Sequence, residues 1–353
     1  MEQPISRITR LTLTATAAAF LAITAAACTS TTSNAPAPHR TTRSTTPPPH
    51  ATAAPAISHQ AALATVEHYM QVKNQADAAI SPALADTVED GPLYAMSQGG
   101  YKRDSGIPAK DRTPYQPWLY DAAGTHLYIP KFPPGAKRWW AAAVAVTSKD
   151  QLLVVFAEQS DQSWQMVLAS DLDGAPLPPV ELDADGYATA VAADGSQPAV
   201  DAGRIRAAVV DNFAAGGVYT GTKYLTPTAA SQRQISVHTK DIHHLGAKGT
   251  TAFAAADNPW TDAYALKTTG GGALVLFAHA HTQTDTVYRG WQIISGPSTR
   301  AWLGTTPRQA ITATFTCADA ALIPSANAKA QLLSYSCEIT AADGPPAGRT
   351  TSV

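Results

Sequence analysis

The sequence predicts an α+β chain: two pseudo-repeated modules, each an amphipathic helix followed by a curved antiparallel sheet, behind a signal peptide and a disordered linker. Three observations predict it. An amphipathic stretch precedes a β-rich stretch twice over. The two β-rich stretches repeat similar residues at one common offset. Everything before residue 57 is a short apolar run followed by a tract of Thr, Ser, Pro and Ala. Helices segregated from a following run of strands are the α+β pattern.

Residues 1–27 read as a signal peptide. Arg7 and Arg10 give a basic start, Leu11 to Ile23 an apolar run broken by Thr12, Thr14 and Thr16, and small residues then lead to Cys28; these are the three parts of a secretory signal. A membrane-crossing helix needs about 20 strongly apolar residues, and this run is short and alanine-dominated. Ala25-Ala26-Ala27-Cys28 has the form of a bacterial lipobox, which makes Cys28 the lipidation site and membrane lipid a partner. Two acyl chains hold a protein on a bilayer where one does not. The expected location is therefore the extracytoplasmic face of the cell membrane.

From residue 28 to 56 the chain contains no large apolar side chain apart from its anchor region and carries Pro47-Pro48-Pro49. Such a tract cannot offset the entropy of ordering its backbone and reads as a semi-extended, disordered spacer. Its Thr, Ser and Pro content permits O-glycosylation.

The first module is expected over 57–196. Ser58 caps a helix with Leu63, Val66 and Met70 at helical spacing. Ser81-Pro82 starts a short second helix, ended by Gly91-Pro92. The stretch from Tyr94 to Pro134, rich in Gly, Pro and Tyr, reads as loops and short strands, with Tyr115, Trp118, Tyr120 and Tyr128 at the rim of the core or lining a pocket. Trp139, the run Leu152 to Ala157 and Trp164-Gln165-Met166 then supply a meander, turned at Ser148-Lys149-Asp150.

The second module is expected over 197–306. Asp201 caps a helix whose face is Ile205, Ala208, Val209 and Phe213, ended by Gly216-Gly217. Trp260, the run Ala273 to Ala278 and Trp291-Gln292-Ile293 repeat the meander, with Gly270-Gly271-Gly272 as the turn. Between the modules, Asp171-Leu172-Asp173-Gly174 and Asp183-Ala184-Asp185-Gly186 lack the full calcium-loop pattern and read as Asp-Gly turns.

Residues 307–353 are expected to be a C-terminal strand pair with a tail. Ile311, Ala313, Phe315 and Cys317 share one face of one strand, and Leu333, Tyr335, Cys337 and Ile339 one face of the other. Adjacent antiparallel strands would bring Cys317 and Cys337 into bonding range, and an exported chain favours a disulfide.

Formal charge is nearly balanced, 25 Lys+Arg against 27 Asp+Glu. That excludes the basic footprint of a nucleic-acid binder. The main chemical constellation is His279-Ala280-His281, whose period-two spacing puts Phe277, His279 and His281 on one strand face. Glu158 and Ser160 hold the matching places in the first copy, and His238, His243 and His244 lie upstream. No carboxylate adjacent in sequence completes a metal shell, and hydrolase elbows, phosphate loops and His-Glu-x-x-His motifs are missing from the sequence. The histidine pair reads as a solvated strand end, with the mouth of a polar pocket and a metal site as the alternatives, and no catalytic residue, metal or cofactor is assigned.

Arg138-Trp139-Trp140 leading into a strand pair, Leu182-Asp183-Ala184-Asp185-Gly186-Tyr187-Ala188-Thr189 before the second helix, and the overall order resemble a family of uncharacterised secreted lipoproteins of actinobacteria. The resemblance covers about residues 57 to 300. Each half also resembles the cystatin-like cone of nuclear-transport-factor-like domains, a superfold that hosts both enzymes and binding modules. The resulting expectation is a non-enzymatic binding module holding an envelope protein, polymer or small ligand. The alternative is a small-molecule enzyme with a cone pocket near Glu158 or near His279 and His281.

Overall fold

The computed structural model describes residues 52–146, 151–195, 201–324 and 328–347. The expected signal peptide, Cys28, the linker before Thr52 and the turn Ser148-Lys149-Asp150 lie outside the described residues.

The described chain begins with a two-residue strand, β1 (Ala54–Pro55), and then α1 (His59–Ala79), capped as expected by Ser58, whose hydroxyl accepts from the Ala61 amide. Its buried stripe is Ala62, Val66, Tyr69 and Ala76. Leu63 and Met70 flank that stripe, half-buried. A short α2 (Pro82–Ala85) follows from the Ser81 cap.

Gly91-Pro92 does not end a helix but opens one, α3 (Gly91–Ser105). Proline in the first turn costs a helix nothing, because that amide has no intrahelical partner. Leu93 and Tyr101 bury one face of α3, and Gly99 allows close backbone approach: a Cβ there would lie 2.2 Å from the Ile339 carbonyl oxygen. The stretch expected to be loops from Tyr94 onward is thus helical to Ser105.

Strands β2 (Asp121–Tyr128), β3 (Lys131–Phe132), β4 (Trp139–Ala145), β5 (Gln151–Glu158) and β6 (Trp164–Asp171) follow. Four of them form an antiparallel sheet in the order β2-β4-β5-β6. Strand β3 instead pairs with β1, and the Ala56 amide donates to the Pro130 carbonyl at 2.8 Å. The last residues assigned to the linker therefore belong to the folded body, because backbone pairing satisfies them where composition alone predicts a spacer.

The second half runs α4 (Ala202–Ala215), α5 (Gly221–Tyr224), β7 (Leu225–Thr226), α6 (Ala229–Asp241), β8 (Gly249–Ala255), β9 (Ala263–Lys267), β10 (Ala273–Val287), α7 (Pro297–Leu303), β11 (Ala310–Ile323) and β12 (Ala330–Asp343). Asp201 caps α4 and Gly216 ends it in the left-handed region at φ 66°. The sheet order is β7-β12-β11-β10-β8, with β9 beside the other half of β10. Strand β11 is thus interior to the second sheet, paired with β10 along fourteen residues from Ala273↔Ile323 to Thr286↔Ala310, and β12 continues the same sheet, with β7 on its outer edge only at Ala330 and Gln331.

The layers explain the two-sided burial of β4. Trp140, Ala142 and Val144, with Val154, Phe156 and Met166, pack under Val66 and Tyr69 of α1. Their neighbours Trp139, Ala141 and Ala143, with Leu153 and Val155, pack against Tyr264, Leu266, Leu274 and Leu276 of the second sheet. On the far face of that sheet Val275, Phe277, Ala321 and Leu332 meet Ile205, Ala208 and Val209 of α4. Helix, sheet, sheet and helix are stacked in that order, and His50–Val353 behave as one unit.

Both halves run long helix, short helix, a parallel bridge, a further helix and then antiparallel strands. The parallel bridge joins Glu89 to Met166 of β6 in the first half and β7 to β12 in the second. Counting from it, β6 answers to β12, β5 to β11 and β4 to β10. The expected residue-level repeat does not follow these roles: Trp164 opens β6, whereas Trp291 lies outside every strand and is 48% exposed. Leu333 also departs from its expected face, because a bulge falls between the pairs Ala320↔Ser334 and Ala321↔Leu332. Leu333 consequently packs toward the first sheet while Tyr335 stays on the α4 side.

Candidate functional site

The helix-covered face of the second sheet carries three cross-strand rows set by register. Phe277 lies opposite Asp319 and then Tyr335; His279 lies opposite Cys317 and then Cys337; His281 lies opposite Phe315 and then Ile339. Cys317 and Cys337 are joined by a disulfide, as their alternation predicts. Phe213 of α4 covers the rows, with its ring stacked on His281 at 4.1 Å between centroids. Phe315 stacks on His281 at 4.9 Å.

His279 and His281 are buried, at 0% and 3% exposure. Neither is at a solvated strand end. His279 Nδ1 lies 2.5 Å from Asp319 Oδ2, and His279 Nε2 lies 3.2 Å from His281 Nδ1. A carboxylate accepts only, so Nδ1 of His279 donates to Asp319, and its Nε2 faces the Nδ1 of His281. Burial, and then the neighbouring His279, hold the His281 pKa well below 6.5. Cys317 Sγ is 3.9 Å from His281 Nδ1.

Asp319 is the partner the sequence reading did not find. It lies 40 residues beyond His279 and reaches it only through the β10–β11 register, so no local spacing could reveal it. Two of the upstream histidines are engaged elsewhere: His238 Nδ1 is 2.7 Å from the Phe213 carbonyl oxygen, and His244 Nδ1 is 2.6 Å from that of Asp241.

Glu158 stands apart from the histidines. Arg138 Nε donates to its Oε2 at 2.5 Å and Arg138 Nη2 donates to its Oε1. It borders a cavity of about 200 Å³ between the sheets, with Asp90, Trp260, Tyr264 and Ala278. It also borders a more open depression near Pro55, Phe132 and Gln162. Neither is lined by His279 or His281, and the first is below the roughly 300 Å³ at which pockets for small organic ligands begin.

The first sheet has its own buried polar cluster, which the sequence reading missed. Tyr69 donates to Glu89 Oε1 at 2.8 Å, and Lys73 Nζ lies 3.5 Å from the same oxygen. Lys73 also donates to Asp77 at 2.7 Å and to Ser97 and Tyr101 at 3.0 Å each. Burial raises the Glu89 pKa above 4.5 while Lys73 opposes the shift. Tyr69, Lys73 and Asp77 fall at helical spacing, a signal that a search for apolar positions passes over.

The aromatic stretch covers α1 rather than opening a pocket: Trp118 packs on Tyr69 at 5.9 Å, and the Tyr120 hydroxyl donates to the Leu63 carbonyl. The acidic loop is a turn. Asp183 Oδ1 accepts from the amides of Asp185 and Tyr187 at 2.9 Å each, and Lys131 donates to its Oδ2 at 2.6 Å.

The chain as a whole belongs to a defined family. Residues 53–344 match the model of a domain of unknown function, DUF8094, and the chain is a member of that family. An uncharacterized lipoprotein of Streptomyces coelicolor is 50% identical over 298 residues, covering 83% of this chain and 84% of that protein. An uncharacterized lipoprotein of Streptomyces avermitilis is 28% identical over 60% of this chain and 64% of its own length, and a second one of S. coelicolor 26% identical over 68% and 71%. No solved structure matches. The chain thus belongs to an actinobacterial lipoprotein family, and no helix among the described residues is long and apolar enough to cross a membrane.

Proposed function

We propose that the chain is anchored through a diacylated Cys28 at the extracytoplasmic face of the cell membrane and that its folded body is a non-enzymatic binding module. The observation that carries this reading is the filling of both helix-covered sheet faces. Trp140, Phe156 and Tyr69 occupy one; Phe277, His279 and His281 occupy the other, all buried. Large apolar side chains are exposed at several places, among them Leu119 and the pair Val218 and Tyr219, and three stand close in sequence on one loop, Tyr288 (52%), Trp291 (48%) and Ile294 (58%). Exposed apolar residues gathered in one place favour an interaction surface.

The enzyme alternative draws less support. Glu158 is held by Arg138, and His279 and His281 lie beneath Phe213 with their polar atoms turned to each other and to Asp319. The test is photo-cross-linking in living cells from position 291, with the exposed Gln71 of α1 as control. A discrete adduct from position 291 alone is expected. No adduct, or the same adducts from both positions, would sink the binding surface. Cys28→Ser should in parallel release the body or leave unprocessed precursor; a cleaved variant still on the membrane would rule out the lipid anchor.

A further inference from the structure

The row His279, Cys317 and Cys337 brings one imidazole and two sulfurs abreast on three neighbouring strands, their ligand-type atoms within 4.8 Å of one another. His281 Nδ1 is beside them, 3.2 Å from His279 Nε2 and 3.9 Å from Cys317 Sγ. We propose that in the reduced chain Cys317, Cys337, His279 and His281 form a tetrahedral Cys2His2 zinc site, and that closing the disulfide abolishes it.

Three observations carry the assignment. The first is distance. Zinc bonds of about 2.0–2.1 Å to nitrogen and about 2.3 Å to sulfur give tetrahedral edges of about 3.3 Å between two nitrogens and about 3.6 Å between nitrogen and sulfur. The two edges already present, 3.2 and 3.9 Å, need shifts of only a few tenths of an ångström. His279, Cys317 and Cys337 already lie within 4.8 Å of one another; on reduction the two sulfurs must separate and His281 must draw closer to Cys337.

The second observation is Asp319. A metal-bound histidine donates its other ring N–H to a carboxylate or carbonyl, which fixes its tautomer and aims its free nitrogen. Asp319 does this for His279 at Nδ1, leaving Nε2 directed at His281 and available as a donor to a metal. The third is the packing around His281. Phe213 and Phe315 both stack on its ring, at 4.1 and 4.9 Å between centroids, and keep it from turning away.

The chemistry balances without further groups. A dithiol reductant delivers two electrons and two protons to the Cys317–Cys337 bond, giving two thiols and the oxidised reductant. Zinc then takes both sulfurs as thiolates and releases their two protons. His281 carries its proton on Nε2 and binds through Nδ1. Re-oxidation by a disulfide of the same class withdraws two electrons from the thiolates, forms the S–S bond and frees the ion. The site is thus exclusive: the chain carries either the disulfide or the metal.

The experiment uses the full chain with Cys28→Ser, so that Cys317 and Cys337 are its only cysteines, reduced anaerobically with a phosphine and titrated with Co2+. The expected result is one equivalent bound, with thiolate-to-cobalt charge transfer and the intense ligand-field bands of a tetrahedral ion, both displaced by Zn2+. The non-reduced chain should show neither. Asp319→Asn should weaken binding about 10- to 100-fold while keeping the bands. His279→Gln, checked for native circular dichroism, should lose one nitrogen ligand and shift them. Failure of the reduced chain to bind, weak octahedral bands only, or an unchanged spectrum and affinity in both variants would each overturn the proposal. A reduced chain that unfolds and is not refolded by zinc would overturn it as well.

Discussion

The two halves cover their outer sheet faces with the same kind of element, a long helix, and fill the space beneath in opposite ways. Under α1 the polar groups come from the helices and their bridge: Tyr69, Lys73, Asp77, Glu89 and Tyr101 form a charged network beside the stacked pair Trp140 and Phe156, 4.4 Å apart. Under α4 they come from the strands, where His279, His281, Asp319 and the disulfide sit among aromatic rings. In the first network Lys73 stands 3.5 Å from Glu89 and opposes the effect of burial on its carboxyl. Imidazoles and sulfurs can change protonation and bonding. The first arrangement is a structural solution to a buried carboxylate, and the second is a set of donors that can be switched.

The sharpest way to break this comparison is to empty each face in turn. Trp140→Ala and Phe277→Ala each remove a fully buried ring and should each cost about 3–5 kcal/mol. The two sheets share one core, with Trp139 edge-on to Tyr264 at 5.2 Å and Ser170 hydrogen-bonded to Ser334 at 2.7 Å. Both variants should therefore unfold in a single calorimetric transition. Two separated transitions would mean that the halves are independent and that the comparison is between two domains.

Next in size is the disulfide. Replacing Cys317 and Cys337 together by alanine opens a loop of sequence separation 20, for which chain entropy gives about 3 kcal/mol. Because β11 and β12 belong to the second sheet, the loss should appear as faster amide exchange along β10, β11 and β12, with β4 and β5 less affected. Uniform acceleration through both sheets would show that the bridge stabilises the whole body equally.

The acid response sharpens the comparison further, since the two faces have opposite signs. His281 is held neutral when folded, and the unfolded chain takes up the proton below about pH 6.5. Stability is therefore lost as pH falls below that value, by at most about 1.4 kcal/mol per pH unit. Glu89 is the reverse: its folded pKa is raised above 4.5, so stability is gained as pH falls from the raised value toward the unfolded one. Urea midpoints across this range should flatten in His281→Asn, and fall more steeply in Glu89→Gln than in the parent. Equal slopes in all three chains would remove both groups from the account.

The same contrast explains what was legible in the sequence. Caps, Gly216 and the triple-glycine turn are local, and they stand where the residues place them. His279 and His281 were legible because two rare side chains at period two declare one face. Their depth was not, because the cover comes from Phe213 of α4, an element remote in sequence that packs on this face of β10. Asp319 and Glu89 were hidden for a common reason: each meets its partner only through the fold, Asp319 reaching His279 across β10 and β11 and Glu89 reaching Tyr69 and Lys73 of α1. The misread Gly91-Pro92 shows the limit of punctuation, since the same dipeptide stops one helix and starts another depending on what the following face can bury. The repeated tryptophans misled because similarity of residues does not fix which strand they occupy.

The smallest expected effect on stability separates surface from core. Trp291 is half exposed, its amide donates to the Tyr288 carbonyl at 3.0 Å, and Lys248 Nζ sits 4.8 Å from its ring centroid. An exposed cation–π contact is worth about 0.5–1 kcal/mol, and the backbone bond survives truncation of the side chain. Trp291→Ala should thus lower stability by no more than about 1 kcal/mol, far below Trp140→Ala. In the cell, Trp291→Ala should nevertheless abolish the adduct formed from a cross-linker placed at Tyr288, with processing and abundance unchanged. A destabilisation above about 2 kcal/mol would mean that the loop is pinned by Trp291 as a core residue is. In that case the exposed ring is a structural clamp, and the binding surface would have to be sought elsewhere.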